Sequence, residues 1–234
     1  MLKQRSLYIL ILFALSVASC KSSKTADGKK LFVGSIVYDI SIEGSPVNQA
    51  LIDAVKEKYG STMMLTVYKN GDILKKYSAG STGYDLNYLN VADNEMNEKY
   101  QSSDTIYKHK ASKQNMVKLN NLRDSEDQNL TVLNYPCKSV ALAGEKVDYN
   151  TAVRQYLTVK YWYSDDIVID KSKYANVNED LLGYLLNESN GGLFLKQEIN
   201  YFTHKITFTA KEIRYKDFNE DVQLLDESSI IVEQ

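Results

Sequence analysis

The chain is poor in the residues that do chemistry or break structure: two cysteines, two prolines, two histidines and one tryptophan in 234 positions. Cys20 and Cys137 are too few for a disulfide framework, so the fold must stand on packing. No His/Cys pair has metal-ligand spacing. A hydrolase needs a nucleophile, a base and a group that holds the base. His109 lies between two lysines and His204 follows Thr203, and neither belongs to such a motif. Ala79-Gly80-Ser81-Thr82-Gly83 lacks the lysine and following helix of a phosphate loop, and Gly191-Gly192 follows a helical pattern instead of preceding one. Asp124-Ser125-Glu126-Asp127 lacks the glycine and terminal glutamate of an EF-hand and reads as a solvated turn. Asp165 and Asp166 are neighbours, which on a strand point to opposite faces. The expectation is a non-enzyme with no catalytic residue, no metal and no cofactor.

Neither sign of charge predominates. Residues 1–19 carry Lys3 and Arg5 and no acid; without them 26 basic and 30 acidic side chains remain, a net −4. No basic stripe offers nucleic acid a footprint. The chain has one long apolar run, Leu7 to Val17, broken only by Ser16. It is too short for a stable membrane span but suits the core of a cleaved signal peptide. Val17-Ala18-Ser19-Cys20 resembles the lipobox of bacterial lipoproteins. That resemblance implies cleavage between Ser19 and Cys20, diacylglycerol (palmitate-like chains) on the Cys20 sulfur and acylation of the new amine. Two or three acyl chains, at about 0.8 kcal/mol per buried CH₂, hold a protein firmly on a membrane. The expected organisation is a signal peptide over 1–19, a lipidated cysteine with a flexible tether over 20–30, and one domain over 31–234. Lys21 stands where an inner-membrane retention signal would place Asp, so an outer-membrane anchor with the domain in the periplasm is expected.

What the chain has in excess is tyrosine, 18 residues, and period-two patterning. Phe32, Ile36, Tyr38, Ile40 and Ile42 alternate with Ser35, Asp39, Ser41 and Glu43. Ser45-Pro46 then opens a helix in which Val47, Leu51, Val55 and Tyr59 form one stripe and Gly60 ends it. Asn70-Gly71 marks a hairpin between 62–69 and 72–78. Further strands are expected over 84–92, within 99–119, and over 130–142, 151–163, 167–169, 194–202 and 205–215. A second helix is expected over 177–187, with Asn176 and Glu179 as a capping box and Leu181, Leu182, Leu185 and Leu186 as its apolar face. This is roughly ten antiparallel strands with two amphipathic helices as cover.

Phe32-Val33-Gly34-Ser35-Ile36-Val37-Tyr38, Leu133-Asn134-Tyr135-Pro136-Cys137-Lys138 and Tyr161-Trp162-Tyr163-Ser164 resemble uncharacterised secreted domains of Gram-negative bacteria grouped with the LolA-like half-barrels. The related GLPGLI family carries that hexapeptide near its second helix, where this chain reads Leu181-Leu182-Gly183-Tyr184-Leu185-Leu186. The resemblance covers most of residues 31–225. It implies a mainly β (α+β) fold, a long curved antiparallel sheet with two amphipathic helices on its concave face.

The leading expectation is therefore a lipid-anchored envelope protein that binds a hydrophobic small molecule or a lipoprotein acyl chain without catalysis, with the leucines at 181, 182, 185 and 186 facing it. The alternatives are a structural or interaction subunit whose hollow is filled, and a surface glycan-binding lipoprotein that stacks sugars on aromatics such as Tyr161, Trp162 and Tyr163. Asp104-Thr105-Ile106 resembles an O-glycosylation tripeptide, with Thr105 as acceptor.

Overall fold

β1 (Gly34–Gly44) follows the alternation read from the sequence over most of its length: Ile36 and Tyr38 are fully buried while Asp39, Ser41 and Glu43 are exposed, but Ser35, expected on the outward face, is buried. The computed structural model describes residues 28, 30–111, 116–122, 130–148, 153–178, 181–216 and 230–233. Phe32 to Gln234 forms one compact unit, and all elements below belong to it. After β1, a 3₁₀ turn over Pro46–Asn48 runs into α1 (Gln49–Tyr59). Gly60 ends α1 with φ +69° and its N–H bonded to Lys56 O at 2.8 Å, the left-handed stop that glycine permits. Ser45 precedes the turn without making a side-chain cap.

A meander then builds one half of the sheet: β2 (Thr62–Val67), β3 (Ile73–Tyr77), β4 (Tyr84–Asn90), β5 (Glu95–Tyr100) and β6 (Thr105–Lys110). The expected Asn70-Gly71 hairpin joins β2 and β3, with a longer loop than a two-residue turn. Tyr68 N–H donates to Asp72 O and Gly71 N–H to Tyr68 O, each at 2.9 Å. Asn70 Oδ1 accepts from Asp72 N–H at 2.9 Å, the side chain mimicking a backbone turn.

The other half comprises β7 (Met116–Leu122), the short hairpin β8 (Thr131–Val132) and β9 (Tyr135–Pro136), β10 (Lys138–Asp148) and β11 (Val153–Val168). After a 3₁₀ turn at Lys171–Tyr174 come α2 (Leu182–Glu188), β12 (Gly192–Tyr201), β13 (His204–Tyr215) and β14 (Ile230–Glu233). Among the described residues one open sheet of twelve strands results, in the order β14-β6-β5-β4-β3-β2-β1-β13-β12-β11-β10-β7. Two meanders thus meet at the β1–β13 pair, which runs from Gly34↔Tyr215 to Gly44↔His204.

The protein is mainly β with two α-helices, as expected, but five details differ. The strands expected at 151–163 and 167–169 are the single β11. The sheet is mixed, because β14 pairs parallel to β6. The stretch 130–142 is not one strand: Leu133 and Asn134 take φ +49° and +66° and fold it into the β8–β9 hairpin. The second helix is shorter than 177–187; α2 starts at Leu182, and Val177 instead donates its N–H to Tyr174 O. Glu179 of the expected capping box, and Asp124 to Asp127, lie outside the described residues. In α1 only Ile52 is buried; Val55 and Tyr59 pack partly on the core, whereas Val47 and Leu51 are exposed.

Candidate functional site

The leucines singled out from the sequence come together in the sheet's main core. Leu181, Leu185 and Leu186 are fully buried and Leu182 half-buried, in one cluster with Leu65, Ile73, Tyr161, Leu193 and Phe194. Three contacts fix this segment. Tyr174 donates its hydroxyl to Gly71 O, and Lys173 Nζ donates to Asn70 O at 2.5 Å, so the 3₁₀ turn is pinned to the β2–β3 hairpin. Gly183 N–H donates to Val177 O at 3.0 Å. A Cβ on Gly183 would stand 2.5 Å from Tyr174 O and 2.6 Å from Val177 O, so only glycine lets α2 approach this closely. Leu181 enters α2 with φ +61°, a costly conformation for leucine that its complete burial offsets.

Aromatic side chains floor the same region. Tyr38 stacks on Phe194 at 4.6 Å and donates to Phe194 O at 2.7 Å; Tyr161 lies 5.5 Å from Phe194 and donates to Gly192 O at 3.0 Å. Burial pushes the Tyr38, Tyr161 and Tyr174 phenols well above their ordinary pKa, so all three remain protonated donors. Between α2 and this floor lies a cavity of about 20 Å³, lined by Ile73 and Lys75 of β3, Tyr161 of β11, Leu182 and Leu185 of α2, and Gln197 of β12. That volume holds about one water molecule. Lys75, Asn87 and Glu98 are cross-strand partners along β3, β4 and β5, and Asn87 Oδ1 is buried with no hydrogen-bond partner among the described residues.

No family model and no curated protein matches the chain.

Of the remaining candidates, Tyr161, Trp162 and Cys137 belong to the same core cluster and Tyr163 packs against it. Tyr161 and Trp162 are buried and Tyr163 is half-buried. Trp162 lies under Lys160 Nζ at 4.8 Å and Lys196 Nζ at 4.5 Å, and its Nε1 finds no partner among the described residues. Asp165 pairs with Lys138 Nζ at 2.6 Å, while Asp166 is exposed; both lie within β11. The Gly80–Gly83 loop holds a carboxylate of the chain itself: Glu57 Oε1 accepts from Thr82 N–H at 3.1 Å and Thr82 Oγ1 at 3.3 Å. Cys137 is buried, its Sγ–H donates to Tyr135 O at 3.4 Å, and burial pushes the thiol pKa up, which disfavours the reactive thiolate. His204 is buried beside Thr203, and His109 sits half-buried in β6. Thr105 is half-buried at the first position of β6, paired to Ile230. Among the described residues no three His, Cys, Asp or Glu side chains gather as a metal would need, and no helix is long and apolar enough to cross a membrane. Ser19 and Cys20 lie outside the described residues.

Sequence reasoning missed the pinning pair Lys173 and Tyr174 and the exposure of Val47 and Phe202. The first depends on contacts across 103 positions, which no local pattern encodes. The second had a trace: Phe202 sits among Tyr201 and Thr203 in a turn, where an apolar ring has no strand face to join.

Proposed function

We propose that the protein is a non-catalytic interaction domain of the bacterial envelope, held to the membrane by lipid on Cys20, with the space beneath α2 filled by its own side chains. The observation that carries this reading is the cavity beneath α2, about 20 Å³, against roughly 300–1,000 Å³ for pockets that hold small ligands. A LolA-like half-barrel, with α2 in its hollow, fits the same residues. β3 and β11 stand five places apart in the sheet order, about 24 Å along a flat sheet at ~4.8 Å per strand, yet both line that one small cavity. A sheet curled around α2 accounts for this.

The anchor reading rests on Val17-Ala18-Ser19-Cys20, with the outer membrane and a periplasmic domain as its setting. Binding of an acyl chain or other hydrophobic ligand has one observation in its favour: Leu182 and Leu185 line the cavity beneath α2. Burial of Tyr161 and Trp162 removes them as a sugar-stacking platform. Thr105 as a glycan acceptor stands on its tripeptide alone.

Mass spectrometry of molecules that copurify with the protein from its own host tests the filled interior. We expect no lipid at stoichiometric amounts and no saturable binding of an apolar fluorescent probe. A stoichiometric acyl-chain ligand, or a probe bound one to one, would return the carrier reading to first place.

A further inference from the structure

Three rows of side chains cross the core-side face of β3, β4 and β5. Ile73, Leu89 and Met96 are cross-strand partners and lie buried in the main core. Two residues along each strand, and so on the same face, stand Lys75, Asn87 and Glu98, with Tyr107 of β6 opposite Glu98. Beyond them come Tyr77, Tyr84 and Tyr100, a bulge between Tyr84 and Leu86 returning Tyr84 to this face. The middle row is the anomaly, because it sets a cation, an amide and a carboxylate between apolar and tyrosine rows. Asn87 is 6% exposed, and its Oδ1 is buried with no hydrogen-bond partner among the described residues. A leucine there would continue the core, whereas an unpaired buried carbonyl costs stability. Such a cost is sustained where the acceptor serves a ligand.

We propose that Asn87 and Glu98, walled by Tyr100 and Tyr107, form a site for a neutral sugar ring, one hydroxyl of which enters the row to donate to Asn87 Oδ1. The missing partner must bring a donor, and the neighbours set its charge. Glu98 beside the amide repels an anion. Lys75 on the other flank repels an amine, as does Lys58, whose Nζ lies 4.7 Å from the Tyr84 ring centre. A neutral hydroxyl meets neither objection, and a second hydroxyl of the same ring donates to Glu98. Tyr100 and Tyr107 are half-buried at the β6 end of the row, their ring centres 5.9 Å apart, and they offer apolar faces to the sugar's C–H groups. Burial, and after it the nearby Glu98 carboxylate, raises the pKa of the Tyr84 and Tyr100 phenols, so this wall stays uncharged. Few polar groups set in an otherwise apolar face is the usual composition of a small-molecule site. Only one hydroxyl, about the size of a water molecule, has to reach Asn87, so the site needs no large cavity. It goes beyond the filled space under α2 and needs no anchor: Lys75 lines the cavity there, and the row runs from it toward β6.

The test titrates the full chain, kept in a detergent without sugar groups, with glucose, galactose, mannose and N-acetylglucosamine by calorimetry. Acetate and methylammonium serve as charged controls. At least one sugar should bind one to one, and neither ion should. Asn87→Leu should weaken that sugar about tenfold, the loss of one hydrogen bond, while the thermal midpoint of the sugar-free protein holds or rises. Tyr107→Leu, at a half-buried position, should keep the fold and weaken binding severalfold. A midpoint that drops by several degrees in Asn87→Leu would show the amide satisfied within the fold and overturn the site. Sugar affinity unchanged in both variants overturns it too, as does the failure of every sugar to bind. Saturable binding of acetate or methylammonium in place of a sugar overturns the neutral ligand.

Discussion

The two helices carry similar apolar patterns and meet opposite fates. α2 has seven residues and buries Leu185 and Leu186 completely, with Leu181 just before it. α1 has eleven residues and buries only Ile52. The difference lies in what stands opposite. α2 has strands from both meanders around it, with Leu65 and Ile73 on one side and Tyr161 and Phe194 on the other. α1 follows directly on the Pro46–Asn48 turn, and Val47 in that turn and Leu51 in the helix are exposed. Periodicity tells which residues share a helix face; only the tertiary fold tells whether that face is covered.

The largest effect that would sharpen this contrast is a pair of truncations. Leu185→Ala should lower unfolding free energy by roughly 2–5 kcal/mol, because a fully buried leucine leaves both lost transfer energy and a void. Leu51→Ala should stay within about 0.5 kcal/mol. Urea unfolding of both variants against the parent checks it. Similar losses at the two positions would erase the distinction between the helices, and a small loss at Leu185 would mean a looser interior than described.

Next is Gly183→Ala. In an exposed helix this change would stabilise by up to about 1 kcal/mol. Here the new Cβ meets two backbone carbonyls at 2.5 and 2.6 Å, and relieving such overpacking typically costs about 1–3 kcal/mol. The sign of the measured change decides whether α2 is seated as tightly as its contacts indicate. Ala54→Gly in exposed α1 is the companion, expected to destabilise by about 1 kcal/mol through propensity alone. A smaller effect belongs to Tyr174→Phe, which removes the donor to Gly71 O and the tie between α2's approach and the hairpin. About 1–2 kcal/mol is expected, read as a shift in thermal midpoint, with faster amide exchange in the 68–72 loop.

Local signals recovered what local physics decides. The alternation from Phe32 to Ile42 gave β1, Asn70-Gly71 gave the β2–β3 turn, and Gly60 gave the end of α1. Three features resisted. Leu133 and Asn134 turn the chain with positive φ, yet leucine is a poor turn signal, so a broken hairpin read as one strand. β14 is four residues long and pairs in parallel with a strand 125 positions earlier at Ile230↔Thr105, a partnership with no local trace. The site was half legible. The leucines at 181 to 186 announced a buried face, but the volume left beneath them depends on Tyr161, Phe194 and Ile73 arriving from distant strands.

The smallest predicted effect is one of pH, at the α1 end. His204 stacks on Tyr201 at 4.6 Å and its Nδ1 lies 2.9 Å from Thr203 Oγ1. Burial lowers its pKa below the ordinary value of about 6.5. The unfolded chain therefore takes up this proton near pH 6.5 and the folded chain only at lower pH. Between those points the unfolded state binds more protons, so stability rises with pH there. The contribution is complete above about pH 6.5 and is lost as pH falls toward the folded pKa. Glu95, stabilised by hydrogen bonds from Lys108 and Lys110, and Glu212, by two from Arg214, have lowered pKa values. Their loss begins below the ordinary carboxylate range near 4.3, so pH 7.5 to 5.5 isolates the histidine. Thermal midpoints across that interval should drop slightly in the parent and stay level in His204→Phe. The drop should also appear as faster amide exchange at the 201–204 turn and leave the α2 segment unchanged. If exchange quickens first around Leu185 instead, the acid-sensitive end of the molecule is the wrong one, and the contrast between a settled α2 and a loosely covered α1 fails.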